Sequence, residues 1–245
     1  MSSGGDNPRQ LTTNPNDDNV PSWSPDGKQI AYHAYDGNDY EIRIFTLVTG
    51  TDTPITNNNT NDWNPVWSPD GSQIAFYSTE DGDYEIYLMD IDGSNRHQIT
   101  HNATIDRFPG WSPDGNRITY TTYLGGKYQI YIMSKDGTRS EFRAYGCISY
   151  FSPDGKQILY GQYCSAGDYG KILIMNSDGS GLPQVLHESG RNAAWSPDGS
   201  QIIFESDSTG NSEIWIMDAD GSNPIQLTFD PAMDAAPVLQ PIPRP

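Results

Sequence analysis

The side chains that could do chemistry in this sequence are four histidines and two short acidic turns. The histidines lie at unrelated positions along the chain, as His33, His97, His101 and His187. A metal centre needs several ligands on one surface, so this scatter favours solvated or packing histidines. The turns Asp90–Gly93 and Asp218–Gly221 lack the spacing and the closing glutamate of an EF-hand loop. We therefore predict no cofactor, with calcium at these turns as the weaker alternative.

Motifs of common hydrolases and nucleotide-binding enzymes are absent from the sequence. The chain has no G-x-S-x-G elbow, no H-E-x-x-H, no phosphate loop and no C-x-x-C. Its 14 basic and 32 acidic residues give a net charge of −18, which disfavours nucleic acid and anionic membranes and favours a cationic partner. No apolar run reaches the ~18 residues that a membrane span requires. Met1–Gly5 does not resemble the start of a signal peptide.

One motif recurs along the chain. Ser-Pro-Asp-Gly occurs five times at spacings of 44, 44, 40 and 44 residues. Its aspartates are Asp26, Asp70, Asp114, Asp154 and Asp198, and the preceding aromatic residues are Trp23, Trp67, Trp111, Phe151 and Trp195. Proline presets φ for a tight turn, aspartate bonds the backbone two residues on, and glycine accepts positive φ. Because a catalytic residue is needed only once, we interpret these ten residues as structural.

Each period also contains short runs of β-branched and aromatic residues bounded by turn formers, which predict four antiparallel strands. Four short strands in 40–45 residues are typical of one β-propeller blade. We predict one all-β domain over residues 1–245. Its repeats cover approximately 20–56, 63–100, 107–144, 147–186 and 192–228, and the termini 1–19 and 229–245 supply closing or extra strands.

The two ends of the chain repeat each other's register. Residues 1–12 align with 217–228 at an offset of 216, so a sixth blade would have an inner and an outer strand but no middle strands. We therefore predict five four-stranded blades, with a six-bladed ring containing one incomplete blade as the alternative. An exposed strand edge recruits other strands, but the high net charge favours a monomer over a strand-exchanged oligomer.

The two cysteines flank the first hairpin of the fourth repeat. If Phe151 lies opposite Ile158, then Cys147 faces Gln162, and Cys164 lies one diagonal step beyond. A disulfide requires Cα atoms within ~7 Å, so bridging requires a bulge or bend. The sequence leaves bridged and free cysteines open.

Strand direction places the Ser-Pro-Asp-Gly turns at one end of every blade and the loops between repeats at the other. The second end, the variable face, differs from repeat to repeat, as binding surfaces of repeat proteins do. Exposed Tyr, Trp and Arg are typical of interaction hot spots, whereas acidic residues there are more simply solvated. The candidate binding residues are Asp17, Asp18, Tyr35, Tyr40, Asp62, Trp63, Tyr84, Asp106, Arg107, Tyr123, Tyr128 and Tyr169.

The pattern W-S-P-D-G, I-A-F-Y-S, E-I-Y-L-M-D, D-G-S-N and Q-I-T resembles the TolB-type propeller repeat, a relative of the WD repeat. The resemblance covers nearly the whole chain. It implies a periplasmic, cell-surface or secreted bacterial setting and a role in protein–protein interaction. We predict a non-catalytic module that binds a protein or peptide through its variable face or central channel. The alternatives are a structural, self-assembling domain of a larger extracellular protein, and a lyase or hydrolase acting on polysaccharide.

Overall fold

The computed structural model of the chain describes residues 10–12, 17–163, 169–229 and 233–241. These residues contain 19 strands and no helix, which confirms the predicted all-β class. Every strand pairing is antiparallel, and the strands form three four-stranded sheets and one seven-stranded sheet. The predicted count of five separate four-stranded blades is therefore not confirmed.

The three four-stranded sheets follow one another along the chain, and we call them units one, two and three. Unit one contains β1 (Asp18–Trp23), β2 (Gln29–Tyr35), β3 (Tyr40–Thr46) and β4 (Thr51–Pro54). Unit two contains β5 (Asp62–Trp67), β6 (Gln73–Ser78), β7 (Glu85–Asp90) and β8 (His97–Gln98). Unit three contains β9 (Ile105–Trp111), β10 (Arg117–Leu124), β11 (Lys127–Ser134) and β12 (Ser140–Tyr145).

The seven-stranded sheet contains two further units that share one long strand. Its strands are β13 (Cys147–Phe151), β14 (Gln157–Gly161), β15 (Gly170–Asn176), β16 (Gln184–Trp195), β17 (Gln201–Ser206), β18 (Glu213–Asp218) and β19 (Ile225–Gln226). Residues 184–190 of β16 pair with β15, whereas residues 191–195 pair with β17. Strand β16 therefore ends unit four and begins unit five without a break.

The Ser-Pro-Asp-Gly turns close on themselves in the same way in all five units. In unit two, Ser68 Oγ donates a hydrogen bond to Asp70 Oδ1 at 2.6 Å, and the amide of Ser72 donates to the same oxygen at 3.0 Å. These bonds lower the pKa of Asp70 to about 2. Gly71 has φ of 73°, a left-handed conformation that glycine adopts without steric cost. The sequence of the turn thus determines its shape locally.

The core lies between neighbouring units. Trp67 of unit two packs with Ala31, Ile42 and Ile44 of unit one, and Trp111 of unit three packs with Ala75 and other residues of unit two. Since each middle strand faces two neighbours, its side chains are buried on both faces, as in β6 and β17. Stacking the units therefore covers apolar surface that a single sheet would leave exposed.

The first hairpin of unit four departs from the expected register. Phe151 pairs with Ile158 as predicted, but a bulge between Cys147 and Tyr150 places Cys147 opposite Gly161 rather than Gln162. Cys147 is fully buried and disulfide-bonded, and Cys164 lies outside the described residues. The extra residue of a bulge shifts every pair beyond it. The sequence prediction extended the pairing of Phe151 with Ile158 without a bulge and therefore missed this shift.

Candidate interaction surface

The central channel is lined by the first strand of each unit, just after the bulge in that strand. One residue at this point has positive φ, and the equivalent residues are Val20, Asn64, Phe108, Ile148, Asn192 and Ala236, with φ from 47° to 56°. All six line a cavity of about 330 Å³. The sixth member, Ala236, belongs to the C-terminal segment 233–241, which therefore forms part of the channel wall.

The described lining of this channel is apolar. Prolines, tryptophans and aliphatic residues dominate it, and the one ionisable side chain among them is Tyr150, whose pKa burial raises to about 12. General acid–base catalysis needs a group that titrates near the working pH. The described channel wall therefore presents shape and apolar area rather than proton-transfer chemistry.

Five predicted binding residues form contacts between units instead of an open surface. Trp63 of unit two lies 5.6 Å from Tyr40 of unit one, measured between ring centroids. One unit further on, the guanidinium carbon of Arg107 lies 3.9 Å from the centroid of Tyr84. Arg191 covers Tyr169 in the same way at 4.6 Å. In each case, a side chain from the first strand of one unit contacts an aromatic residue of the preceding unit. That aromatic residue lies at the start of the third strand or directly before it.

Two predicted acidic residues, Asp62 and Asp106, are fully buried. Asp62 forms a salt bridge of 2.7 Å with Arg96 and accepts a hydrogen bond from Asn58. Asp106 accepts a hydrogen bond from Asn102 at 2.7 Å. Both carboxylates are held inside the variable face, so neither offers a charge to a partner there. Of the other acidic candidates, Asp17 is exposed and Asp18 is half-buried.

Buried glutamates that sequence reasoning missed anchor the loops between units. Glu85 accepts hydrogen bonds from the hydroxyl of Thr100 and the amide of Asn102. Burial raises the pKa of Glu85 to about 7, even though these hydrogen bonds act to lower it. Glu41 is held in the same way by Thr56 and Asn58. The signal was present in the sequence, because a glutamate begins the third strand and a Thr-x-Asn triplet follows it in both units.

Carboxylates gather at the same two hairpins, in the groups Asp36, Asp39, Glu41 and Asp81, Asp83, Glu85. The oxygens of each group lie within 4.8 Å of one another, but both glutamates already accept hydrogen bonds from the loop. At the turn that resembled a calcium loop, Asp92 accepts hydrogen bonds from the amide and hydroxyl of Ser94. In both units the glutamate therefore anchors the loop that follows, and Asp92 closes its own turn.

The histidines have separate surroundings. His33 is buried beside Tyr40, at 5.5 Å between ring centroids, and burial lowers its pKa to about 4. His97 and His101 are exposed, and His187 is half-buried next to Ser189. The structure brings no two of the four together.

Exposed aromatic residues concentrate on unit three, and we call this cluster the unit-three patch. It consists of Leu124, Lys127, Phe142 and Tyr145, which the strand register places on one face of the sheet, and its most exposed aromatic residue is Tyr145 at 59%. The ammonium of Lys127 lies 4.9 Å from the Tyr145 ring, and that ring lies 5.3 Å from Phe142. The predicted residues Tyr123 and Tyr128 pack on each other at 4.9 Å, on the opposite face of the same strands. Tyr35 of unit one is also exposed, but apart from the patch.

Sequence reasoning missed Phe142 and Tyr145 because it treated the outermost strands as uniform. The outer strands of units one and two read Thr51–Pro54 and His97–Gln98, whereas β12 carries both aromatic residues. Comparing the outer strands across repeats would have shown unit three to be the exception.

The sequence matches the family model described as the TolB beta propeller domain over residues 1–163. This chain belongs to that TolB propeller family. The match extends through units one to three and into unit four. Together with the antiparallel units, it confirms the predicted TolB-type propeller class.

Individual proteins agree with the family assignment. The chain is 36% identical over 85 residues to the Tol-Pal system protein TolB of Anaeromyxobacter dehalogenans, covering 35% of this chain and 19% of that protein. The crystal structure of TolB from Acinetobacter baumannii superposes with a TM-score of 0.78 at 25% identity, covering 90% of this chain and 56% of that one. This propeller therefore spans only part of the length of these TolB proteins.

A likeness at the level of fold extends to an enzyme. An oligogalacturonate lyase in complex with manganese superposes with a TM-score of 0.62 at 15% identity, covering 88% of this chain and 67% of that one. An identity this low shows shared architecture alone.

The described part of the chain contains no helix of the length and apolarity needed to cross a membrane.

Proposed function

We propose that this TolB-type propeller is a non-catalytic interaction module that binds a protein partner through the unit-three patch. The carrying observation is the exposure of Leu124, Phe142 and Tyr145 on one face of a single unit. Exposed apolar clusters of this kind mark interaction surfaces, and tyrosine is enriched at binding hot spots. The aromatic residues that contact one another between units are not available for this role, because neighbouring side chains cover them.

The charge of the protein limits the kind of partner. The net charge is −18, and a field of this sign speeds association with a cationic surface. Lys127 is an exposed cation within the patch, and it can meet a carboxylate of the partner. The partner we expect is therefore a protein segment with an apolar centre, a basic surround and one acidic residue.

Membership of the TolB family supports a bacterial envelope setting, since its matched relatives are described as components of the Tol-Pal system. We place the module in the periplasm on that basis. An enzymatic function is less well supported. The described channel residues contain no carboxylate, histidine, lysine or arginine, and the lyase likeness is one of fold.

The scaffold of the proposed module consists of five four-stranded units and an incomplete sixth position. Segment 233–241 contributes the inner wall at that position, where Ala236 has the positive φ of the other five units. Segment 233–241 therefore supports a ring with an incomplete sixth position.

The experiment compares partner capture by wild type, Tyr145→Ala and Tyr35→Ala. Each immobilised protein is exposed to an envelope fraction, the captured protein is identified, and its affinity is then measured with purified components. Tyr145→Ala should weaken binding at least tenfold, because it removes an exposed hot-spot side chain. Tyr35→Ala, an exposed tyrosine outside the patch, should change it less than twofold. Equal affinities for all three proteins would refute the unit-three patch as the binding site.

A further inference from the structure

The hairpin that joins β2 to β3 in unit one brings three carboxylates together. Asp36 directly follows β2, Asp39 directly precedes β3, and Glu41 is the second residue of that strand. One oxygen of each carboxylate lies within 4.8 Å of the other two. Two oxygens that bind the same calcium ion at roughly 2.3–2.6 Å are at most about 5 Å apart. The spacing of these carboxylates is therefore compatible with coordination of a single ion.

The carboxylate of Asp39 is buried and only half satisfied. The residue is 5% exposed, and its Oδ2 atom accepts a hydrogen bond from Asn38 at 3.0 Å. The Oδ1 atom is buried as well, but it accepts no hydrogen bond from any described residue. A buried carboxylate oxygen without a donor carries the cost of its lost hydration without compensation. A cation beside Oδ1 offsets that cost.

The charges around Asp39 leave a surplus of negative charge. Burial raises the pKa of Asp39, and the charge of Asp36 raises it further. Arg43 acts on Asp36, but its guanidinium is paired with Asp52 at 2.8 Å. Asp36 is exposed, so ions from solution can reach the cluster. A cation from solution can therefore balance this charge.

Glu41 connects the cluster to the loop between units one and two. Its carboxylate accepts hydrogen bonds from the hydroxyl of Thr56 and the amide of Asn58. Because an ionised carboxylate offers about four lone pairs, both oxygens can still bind an ion. Asn58 donates in turn to Asp62, the first residue of unit two. An ion held by Glu41 therefore acts on the loop that positions the next unit.

Unit two carries a similar group of carboxylates, but they are better satisfied. The group consists of Asp81, Asp83 and Glu85. Asp81 accepts a hydrogen bond from Gln98 at 2.5 Å, and Asp83 is half-buried. None of their oxygens is both buried and without a hydrogen-bond partner among the described residues. Unit two therefore provides an internal comparison for unit one.

Unit three has a cation of its own at the place of Asp39. Two repeats further along the chain, Lys127 stands in the register of Asp39 and Gln129 in that of Glu41. The charge of this hairpin is thus reversed in unit three. The three units differ where a metal site would differ, although their backbones pair in the same way.

We propose that Asp36, Asp39 and Glu41 bind one calcium ion at the β2–β3 hairpin of unit one. The ligand atoms are all oxygens, which hard divalent cations prefer. Calcium accepts roughly six to eight oxygens in flexible geometry, whereas magnesium demands a nearly octahedral shell and loses water reluctantly. Three carboxylates on a short hairpin therefore fit calcium better, and water completes its shell on the exposed side. This site is not one of the two acidic turns at which the sequence left calcium as an alternative.

Calcium at this site should stabilise the junction between units one and two. An ion that binds only the folded hairpin raises the melting temperature as its concentration rises. Its ligands must be deprotonated, and the pKa values of Asp39 and Glu41 are both raised, chiefly by burial. Calcium binding should therefore weaken as the pH falls.

The test titrates calcium chloride into the intact protein and measures binding by calorimetry. Ionic strength is held constant, because a net charge of −18 attracts cations without any specific site. Extracellular modules bind calcium with dissociation constants of ~10⁻⁴–10⁻³ M, so the titration extends to about 10 mM. Terbium is a second probe, since Trp63 lies 5.6 Å from Tyr40, the neighbour of Asp39, and can sensitise its luminescence. Calcium should displace terbium, and magnesium should displace it less effectively.

Two variants of equal charge locate the ion. Asp39→Asn removes one charged ligand while keeping the shape of the side chain, and it should weaken calcium binding at least tenfold. Asp83→Asn, the matched control at the equivalent hairpin of unit two, should change binding less than twofold. A difference between them cannot come from general attraction, because both lose one charge. Absence of saturable binding, equal binding by wild type and Asp39→Asn, or a loss in Asp83→Asn as large as in Asp39→Asn would overturn the proposal.

Amide hydrogen exchange of the wild-type protein locates the ion without a substitution, in case Asp39→Asn fails to fold. Calcium should slow exchange in residues 36–41 and 56–62. Protection confined to residues 80–85, or spread evenly over the chain, would overturn the proposal. Because Tyr145 lies on unit three, none of these outcomes affects the test of the unit-three patch.

Discussion

Arg107 stacks on Tyr84, with its guanidinium carbon 3.9 Å from the ring centroid. The contact joins the first strand of unit three to the residue directly before the third strand of unit two, and Arg191 forms a similar contact with Tyr169. A residue type that suggested partner binding therefore connects units within the protein.

Replacing Arg107 by alanine should lower the free energy of unfolding by about 1 kcal/mol, because a partly buried cation–π contact is lost. Arg107→Lys should lose less, since the cation is kept. Urea denaturation followed by tryptophan fluorescence measures both. Arg139→Ala, at an exposed turn, is the control and should leave stability unchanged. An equal loss for the control would mean that general charge, rather than stacking, is responsible.

Trp63 and Trp67 should both be required for stability, although only Trp67 belongs to the recurring motif. Trp63 contacts Tyr40, Tyr77 and Tyr84, and Trp67 is buried among residues of units one and two. Truncation of the buried Trp67 to alanine should cost roughly 3–5 kcal/mol, and truncation of the half-buried Trp63 should cost less. Denaturant unfolding measures both. Trp63→Phe should recover part of the loss by keeping an aromatic ring in place. A Trp63→Ala protein as stable as wild type would show that Trp63 is a free surface residue.

The stability cost of Glu85→Gln should depend on pH. The folded pKa of about 7 lies above the ordinary glutamate value of 4.5, so the folded state retains a proton that the unfolded state loses between these values. The contribution of Glu85 to stability is therefore largest at low pH and falls as pH rises through this window. The cost of the substitution should be about 1–2 kcal/mol greater at pH 5 than at pH 7.

His33 has the opposite pH dependence, since its folded pKa of about 4 lies below the ordinary histidine value of 6.5. Its contribution cancels when Glu85→Gln is compared with wild type at each pH. Gln129 occupies the position equivalent to Glu85 in unit three, so glutamine is compatible with the fold there. A substitution cost that is constant from pH 5 to pH 7 would show that Glu85 is ionised throughout.

Thiol labelling of the unreduced, denatured protein should detect no free cysteine, because Cys147 is disulfide-bonded. A bridge between the two cysteines of the chain closes a loop of about 17 residues, and reduction should lower the free energy of unfolding by about 3 kcal/mol. Unfolding curves with and without reductant measure the change. The variant Cys147→Ser should show no such dependence on reductant. Two labelled thiols in the wild-type protein would contradict the bridge.

The sequence predicted those features whose causes lie within a few residues. Ser68, Asp70 and Gly71 form their turn from contacts two to five residues apart, so the motif alone specified it. The pairing of Phe151 with Ile158 follows from the same turn. The recurrence of the motif was then sufficient to predict stacked β units, because one such sheet cannot bury both of its faces alone. The resemblance of the repeat predicted the TolB-type propeller.

The tertiary structure decided everything that depends on which unit lies beside which. Asp62 and Trp63 are neighbours in sequence and share a predicted exposed face, but Arg96 holds Asp62 in the interior and Tyr40 covers Trp63. The repeat pattern of the sequence gave segment 233–241 no defined position, whereas its contact with Gly27 places it where the ring closes. Such contacts join residues up to 213 positions apart. A repeating sequence specifies the interfaces that recur, whereas the one interface that does not recur depends on how the ring closes.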